Sequence, residues 1–180
     1  LAHRFNTDHI QTERVTTMGD MFFSQLRTAW GLNKKIYHEL LKAAMTLHEI
    51  GLDINPSGYH KHGQYILTYA DLAGFNQEQQ QALAWLVGNQ RKNIAHLPNE
   101  QWHVLSPHLL TKLLVILRLS ILLTQQRTQE EKVLQAIEGT NHSIALHFNS
   151  SWITQRPIIE AELIAEQEKL KVHKKNFCFY

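Results

Sequence analysis

The stretch Ala43-Ala44-Met45-Thr46-Leu47-His48-Glu49-Ile50-Gly51 decides the fold. It closes an apolar helix, opened by Asn33 and expected over residues 34–50. Its positions Ile36, Leu40, Ala43, Ala44 and Leu47 recur at helical spacing. Gly51 stands where a left-handed cap would stop such a helix. Upstream, Val15, Met18, Phe22, Leu26 and Ala29 share one helical face, and Thr7 or Asp8 can cap that helix, expected to run to about Ala29. Downstream, residues 51–59 collect Gly, Asp, Asn, Pro and Ser, which predicts a loop. A third helix is expected from His60 or Lys61 to Tyr69. A fourth, over residues 77–89, follows the capping-box pair Asn76 and Gln79. Ser106-Pro107 opens a fifth, running to about Gln126, which is apolar on most sides and is therefore expected at the centre.

The texture changes after Arg127. Val133, Leu134, Ala136 and Ile137 lead to the turn Gly139-Thr140-Asn141, and Ile144, Leu146 and Phe148 then alternate with Ala145 and His147, a β-hairpin pattern. Ser150 or Ser151 is expected to cap a helix through Glu168. Residues 176–180, with Phe177 and Phe179 on one side, are expected as a closing strand. The fold class expected is mainly α: a helical domain over residues 1–127, then a small α+β subdomain over residues 128–180.

Composition narrows the classes. The 180 residues are 43% hydrophobic, enough for a sizeable core and too many for a disordered tail. Eighteen basic against sixteen acidic residues give +2, so no single-signed field points to a nucleic-acid partner. Twelve histidines would add positive charge near pH 6. The lone cysteine, Cys178, cannot form an internal disulfide and fits a reducing cytoplasm. The longest apolar run, residues 113–123, carries Arg118 and is short of the about 20 residues of a membrane span, so no membrane partner is expected. The chain begins at Leu1, which reads as a piece of a longer protein.

His48-Glu49, a histidine followed by an acid at the end of an apolar helix, is similar to the signature of HD-type phosphohydrolases. Imidazole and carboxylate together hold divalent metal in such sites and lower the pKa of its water. The surrounding text is more specific. Residues 43–55 with Ser57-Gly58-Tyr59-His60-Lys61-His62-Gly63-Gln64, then Asp71-Leu72-Ala73-Gly74-Phe75-Asn76, and later Leu117-Arg118-Leu119-Ser120 ending in Gln126-Arg127, resemble the C-terminal half of the bacterial exopolyphosphatase and guanosine pentaphosphate phosphohydrolase family. The resemblance implies an HD-like helical domain over residues 1–127 and the small subdomain after it. It also implies N-terminal actin-like domains, absent from this chain, that carry a catalytic glutamate and work with Mg²⁺. Phe22-Phe23, Trp30 and residues 152–157 look more like the pentaphosphate branch, and residues 52–80 more like the exopolyphosphatase branch.

Position by position, the HD ligand set is depleted. Its first histidine falls on Gln11, its pair on His48-Glu49, a further histidine near Gln90 and its late aspartate on Ser120 or Ile121. One His and one Glu do not make a hydrolytic metal site, so neither a metal nor a catalytic residue is expected in this chain. His48-Glu49 is expected as a buried structural pair, bonded to backbone or Arg118. Buried Arg118 needs a partner, and Glu49 is a candidate. Arg14 and Arg127 are expected at the surface, and Trp30, Trp85, Trp102 and Trp152 in core or interface.

The substrate-binding candidates are His60, Lys61, His62, Arg91 and Lys92. Each is either a solvated helix end or part of a basic track for phosphates, which helix amides and cations attract. In the resembled family, long polyphosphate runs along the HD-like domain. Pro56 replaces a family histidine in this loop. The function expected is the polyphosphate-gripping and dimerising portion of a hydrolase. The parent would release orthophosphate from polyphosphate or guanosine pentaphosphate, with its own actin-like domains and a second copy as partners. A stand-alone metal-dependent nucleotide phosphohydrolase and a non-catalytic dimerisation module are the alternatives.

Overall fold

The structure, a computed structural model, describes residues 7–97, 102–127, 133–172 and 176–180. Among them five helices precede a hairpin, two more helices and a last strand. The first helix, α1 (His9–Leu26), starts at Asp8, whose carboxylate accepts the amides of Ile10 and Gln11 at 3.0 and 3.1 Å. It stops before Ala29, because Arg27–Leu32 folds into a turn through left-handed Gly31. Helix α2 (Lys35–Leu47) has Lys34 at its N-cap with no side-chain bond, so Asn33 does not open it. Past Leu47 the chain tightens into i→i+3 turns, Leu47 to Ile50 and Glu49 to Leu52. Gly51 is not left-handed; its role is close approach, for an added Cβ would lie 2.7 Å from the Gly63 nitrogen and against the Tyr59 carbonyl.

Left-handed Gly58 leads into α3 (Tyr59–Tyr69). The capping box of α4 (Gln77–Gly88) forms in both directions, at 2.9 Å and 3.0 Å. Glu78 in its first turn accepts the amides of His103, Val104 and Leu105, anchoring the approach to α5 (Pro107–Thr124). Leu110, Leu113, Leu114, Ile116, Leu117 and Leu119 of α5 are fully buried. By length and composition α5 could cross a bilayer, yet 67% of it is buried inside the protein, as a central core helix requires.

Strands β1 (Leu134–Gly139) and β2 (Ser143–Phe148) pair antiparallel, with a bulge between Leu134 and Ala136. Ile144, Leu146 and Phe148 face inward, as their alternation predicts. The single helix expected over 150–168 is two. Asn149, not Ser150 or Ser151, caps α6 (Ser150–Thr154), and Pro157 begins α7 (Pro157–Val172). Proline carries no N–H and disfavours helical Arg156, so the break falls there. The last strand, β3 (Asn176–Phe179), runs parallel to β2, giving the order β1-β2-β3. The placement of the Phe177 side chain lies outside what the structure describes. Trp30, Trp85 and Trp152 are in the core and Trp102 is partly buried against it.

A buried lysine ties the hairpin to the helices. Lys112 of α5 is buried, and its Nζ donates to the Trp30 carbonyl at 2.9 Å and to Asn141 Oδ1 at 2.7 Å. Burial lowers its pKa. Asn141 is exposed in the turn, so Asn141→Ala would ordinarily be silent. Here it is expected to cost about 1–2 kcal/mol in urea denaturation, because it strips a partner from a buried ammonium. A change below about 0.3 kcal/mol would mean that the tie carries no stability.

Candidate functional site

The ends of α2 and α4, the start of α1, and the facing sides of α5 and α7 enclose a cavity of about 550 Å³. Gln11, His48, Glu49, Gln90 and Ile121 all line it. The positions singled out from sequence therefore converge. Of the two late-aspartate candidates it is Ile121 that lines the cavity. Ser120 is fully buried and bonds the Ile116 carbonyl.

The floor is built from buried groups, three of which each donate to a main-chain carbonyl. Gln11 Nε2 donates to the Thr124 carbonyl at 3.2 Å, and Gln90 Nε2 to the His48 carbonyl at 2.6 Å. His48 donates from Nδ1 to the Met45 carbonyl at 2.7 Å, which leaves Nε2 as an acceptor. Gln11, His48, Glu49 and Gln90 are all under 9% exposed. Gln11 Oε1, Gln90 Oε1 and Glu49 Oε2 have no hydrogen-bond partner among the described residues.

Arg118 corrects the pairing expected for it. Its partner is Glu166 of α7, bound through Nε and, at 2.7 Å, through Nη2. Its remaining donors hold the carbonyls of Asn89 (2.6 Å) and Lys92 (3.0 Å). Glu49 pairs instead with Arg127, whose Nη2 lies 2.7 Å from Oε1, while Nη1 reaches Asp8. Arg127 is thus half-exposed as expected at the surface, yet part of the site. Lys92 and Arg127 are the non-glycine residues at positive φ, 59° and 55°, among the described residues, and both line this cavity. Strained backbone gathers where surrounding structure fixes it, often at binding sites. Arg91 lies 5.1 Å over the Tyr59 ring. Glu166 had no local sequence signal beyond the demand of buried Arg118 for an acid, and Tyr59 stood in the quoted stretch 57–64 without a role of its own.

Among the substrate-binding candidates, Lys61, Arg91 and Lys92 are exposed, His62 is half-buried and His60 is buried. Burial pulls the His60 pKa down to about 4, helped by the positive charges of Lys61, Arg91, Lys92 and Arg118 around it. Burial likewise lowers His48 to about 4, against its bond to the Met45 carbonyl. Both rings are neutral at pH 7. Burial raises Glu49 more than Arg127 lowers it.

The donor set does not fit a hydrolytic divalent cation. Among Gln11, His48, Glu49, Gln90 and Ile121 the one carboxylate, that of Glu49, is bonded to Arg127, and over the whole cavity five cationic side chains stand against three carboxylates, a net +2. No group of three or more His, Cys, Asp or Glu gathers among the described residues.

The depressed histidines make stability pH-dependent. Unfolded, each protonates near 6.5; folded, near 4, so the stability present above pH 6.5 is lost as pH falls toward 4. The loss is expected to reach a few kcal/mol for the pair between pH 6.5 and 4, offset in part by Glu49, whose raised pKa works in the opposite sense. Urea midpoints across that window check it. A flat profile would mean that one or both rings are hydrated.

The family model described as Ppx/GppA phosphatase, domain III, matches residues 1–167. The chain belongs to the Ppx/GppA phosphatase family. A guanosine-5′-triphosphate,3′-diphosphate pyrophosphatase of Aeromonas hydrophila subsp. hydrophila is 31% identical over 169 residues, covering 94% of this chain and 34% of that relative. The chain therefore spans about a third of the length of this family member.

Proposed function

We propose that this chain is the substrate-gripping and assembling portion of a Ppx/GppA phosphoanhydride hydrolase. The parent releases orthophosphate from polyphosphate or guanosine pentaphosphate. Attack on phosphorus belongs to parts of the parent outside this chain, with Mg²⁺ neutralising the phosphates there. The observation that carries this reading is Arg91 stacked 5.1 Å over the Tyr59 ring at the start of α3, which brings exposed Arg91 and Lys92 from the end of α4 to the helix turn that carries exposed Lys61. A polyanion laid across them releases counterions, so its binding weakens with salt. Holding a distant part of the substrate keeps the end to be cleaved at high effective concentration. Exposed Tyr65 and Tyr69, ring centroids 4.9 Å apart on α3, offer an aromatic face for pairing two copies.

The test joins the chain to its own N-terminal portion and follows phosphate release. The chain alone is expected to release none, and the joined protein to act on one or both substrates. Lys61→Ala with Arg91→Ala should raise KM for long polyphosphate several-fold and flatten its salt dependence, leaving short substrates unchanged. Hydrolysis by the isolated chain, or an unchanged KM for long chains, would refute the division of labour.

A further inference from the structure

Away from the cavity, two histidines from separate parts of the fold meet. His108 stands in the first turn of α5 and His142 in the turn between β1 and β2, with ring centroids 6.3 Å apart and planes at 59°. Both are exposed, and neither lines the cavity. Neighbouring bonds fix the backbone under each. Thr140 and Ser143 close the β-turn through main-chain bonds in both directions, at 3.0 and 3.4 Å, and Lys112 Nζ holds Asn141 Oδ1 at 2.7 Å. Lys112 lies one helical turn beyond His108, so one face of α5 meets the β-turn at both residues. The start of α5 is tethered too, for the Ser106 amide donates to the Tyr37 hydroxyl at 3.2 Å. Two imidazoles carried on fixed backbones are pre-organised for a shared ligand.

The chemistry of the two rings selects that ligand. Imidazole nitrogen suits zinc, copper and nickel, whereas magnesium and calcium call for oxygen. A tetrahedral ion bonded to both rings at about 2.1 Å would put their centroids about 5 Å apart. Rotation of two exposed side chains closes the difference. The contact from Asn141 Nδ2 to His142 Nε2 is long, at 3.4 Å, and is readily exchanged for a metal bond. We infer that His108 and His142 form an exchangeable site for a borderline divalent cation, with Zn²⁺ as its type, which staples the hairpin to the central helix. Two nitrogens fall short of the four donors of a structural zinc centre, so water completes the shell. The Lys112 ammonium lies across Asn141 and repels the ion, which sets the expected affinity in the micromolar range. The site needs both elements in place, so the ion favours the folded chain and stabilises it by mass action.

Calorimetric titration of the 180-residue chain with Zn²⁺, and thermal melting with Zn²⁺ or Mg²⁺, test it. Zn²⁺ is expected to bind with a Kd on the order of 10 µM. At about a hundredfold excess over that Kd it should raise the melting temperature by about 5 °C, and Mg²⁺ at the same concentration should not. His108→Gln and His142→Gln, both at exposed positions that leave the fold intact, should each weaken Zn²⁺ at least about tenfold and remove most of the melting shift. His38→Gln alters a different histidine, the one that ties α2 to Asp20 of α1, and should leave the titration unchanged. A Kd weaker than about 1 mM, a melting shift that survives in either variant, or an equal response to Mg²⁺ would each overturn the proposal.

Discussion

Glu166→Ala is expected to destabilise the protein by about 3–5 kcal/mol. Arg118 and Glu166 are 3% and 4% exposed and bonded through two guanidinium nitrogens. Removing the acid leaves a buried positive charge with two carbonyls for company, those of Asn89 and Lys92. Lys169, whose Nζ lies 3.7 Å from Glu166, would also lose its partner. Urea denaturation should show a lower midpoint with an unchanged m. Arg118→Met combined with Glu166→Leu should be milder than either single change, since no lone charge stays inside. A loss below about 1 kcal/mol for Glu166→Ala would mean that water reaches the pair and screens it.

Gly51→Ala is expected to cost at least about 2 kcal/mol, through overpacking that cannot relax. The neighbours a methyl group would meet are backbone, the Tyr59 carbonyl and the Gly63 nitrogen, so the start of α3 must move. Gly58→Ala makes the comparison. Gly58 is left-handed, at φ 81°, but nothing lies within 4 Å of an added Cβ. It should lose only about 1–2 kcal/mol of conformational strain. Thermal melting of both variants reads the order. Gly58→Ala proving the more harmful would show that the approach at Gly51 is not tight.

Periodic apolar spacing was enough to place α1, α2 and the hairpin, because a face that buries must repeat with its element. Capping chemistry was legible at Asp8 and at the Asn76 and Gln79 pair, which do what their spacing predicts, and misleading at Asn33 and at Ser150 and Ser151. Failures came where distant parts of the chain decide. Gly51 was read as a conformational stop, while its constraint is the passage of α3, which no local pattern encodes. The break at Pro157 was overlooked although proline announces it. Convergence of Gln11, His48, Glu49 and Gln90 on one cavity was legible through the family resemblance. The partners of Arg118 and Glu49 were not, because Glu166 lies 48 residues and Arg127 78 residues away along the chain.

The parallel placement of β3 beside β2 sets an order of events during folding. The hairpin can zip as soon as it is made, but β3 reaches its place only after α6 and α7 have crossed over. Until then β2 keeps one bare row of amides and carbonyls, and inward-facing Ile144, Leu146 and Phe148 lack their cover. A newly made chain is therefore most prone to stick to its neighbours, and most in need of a chaperone, in the interval between the hairpin and the final strand.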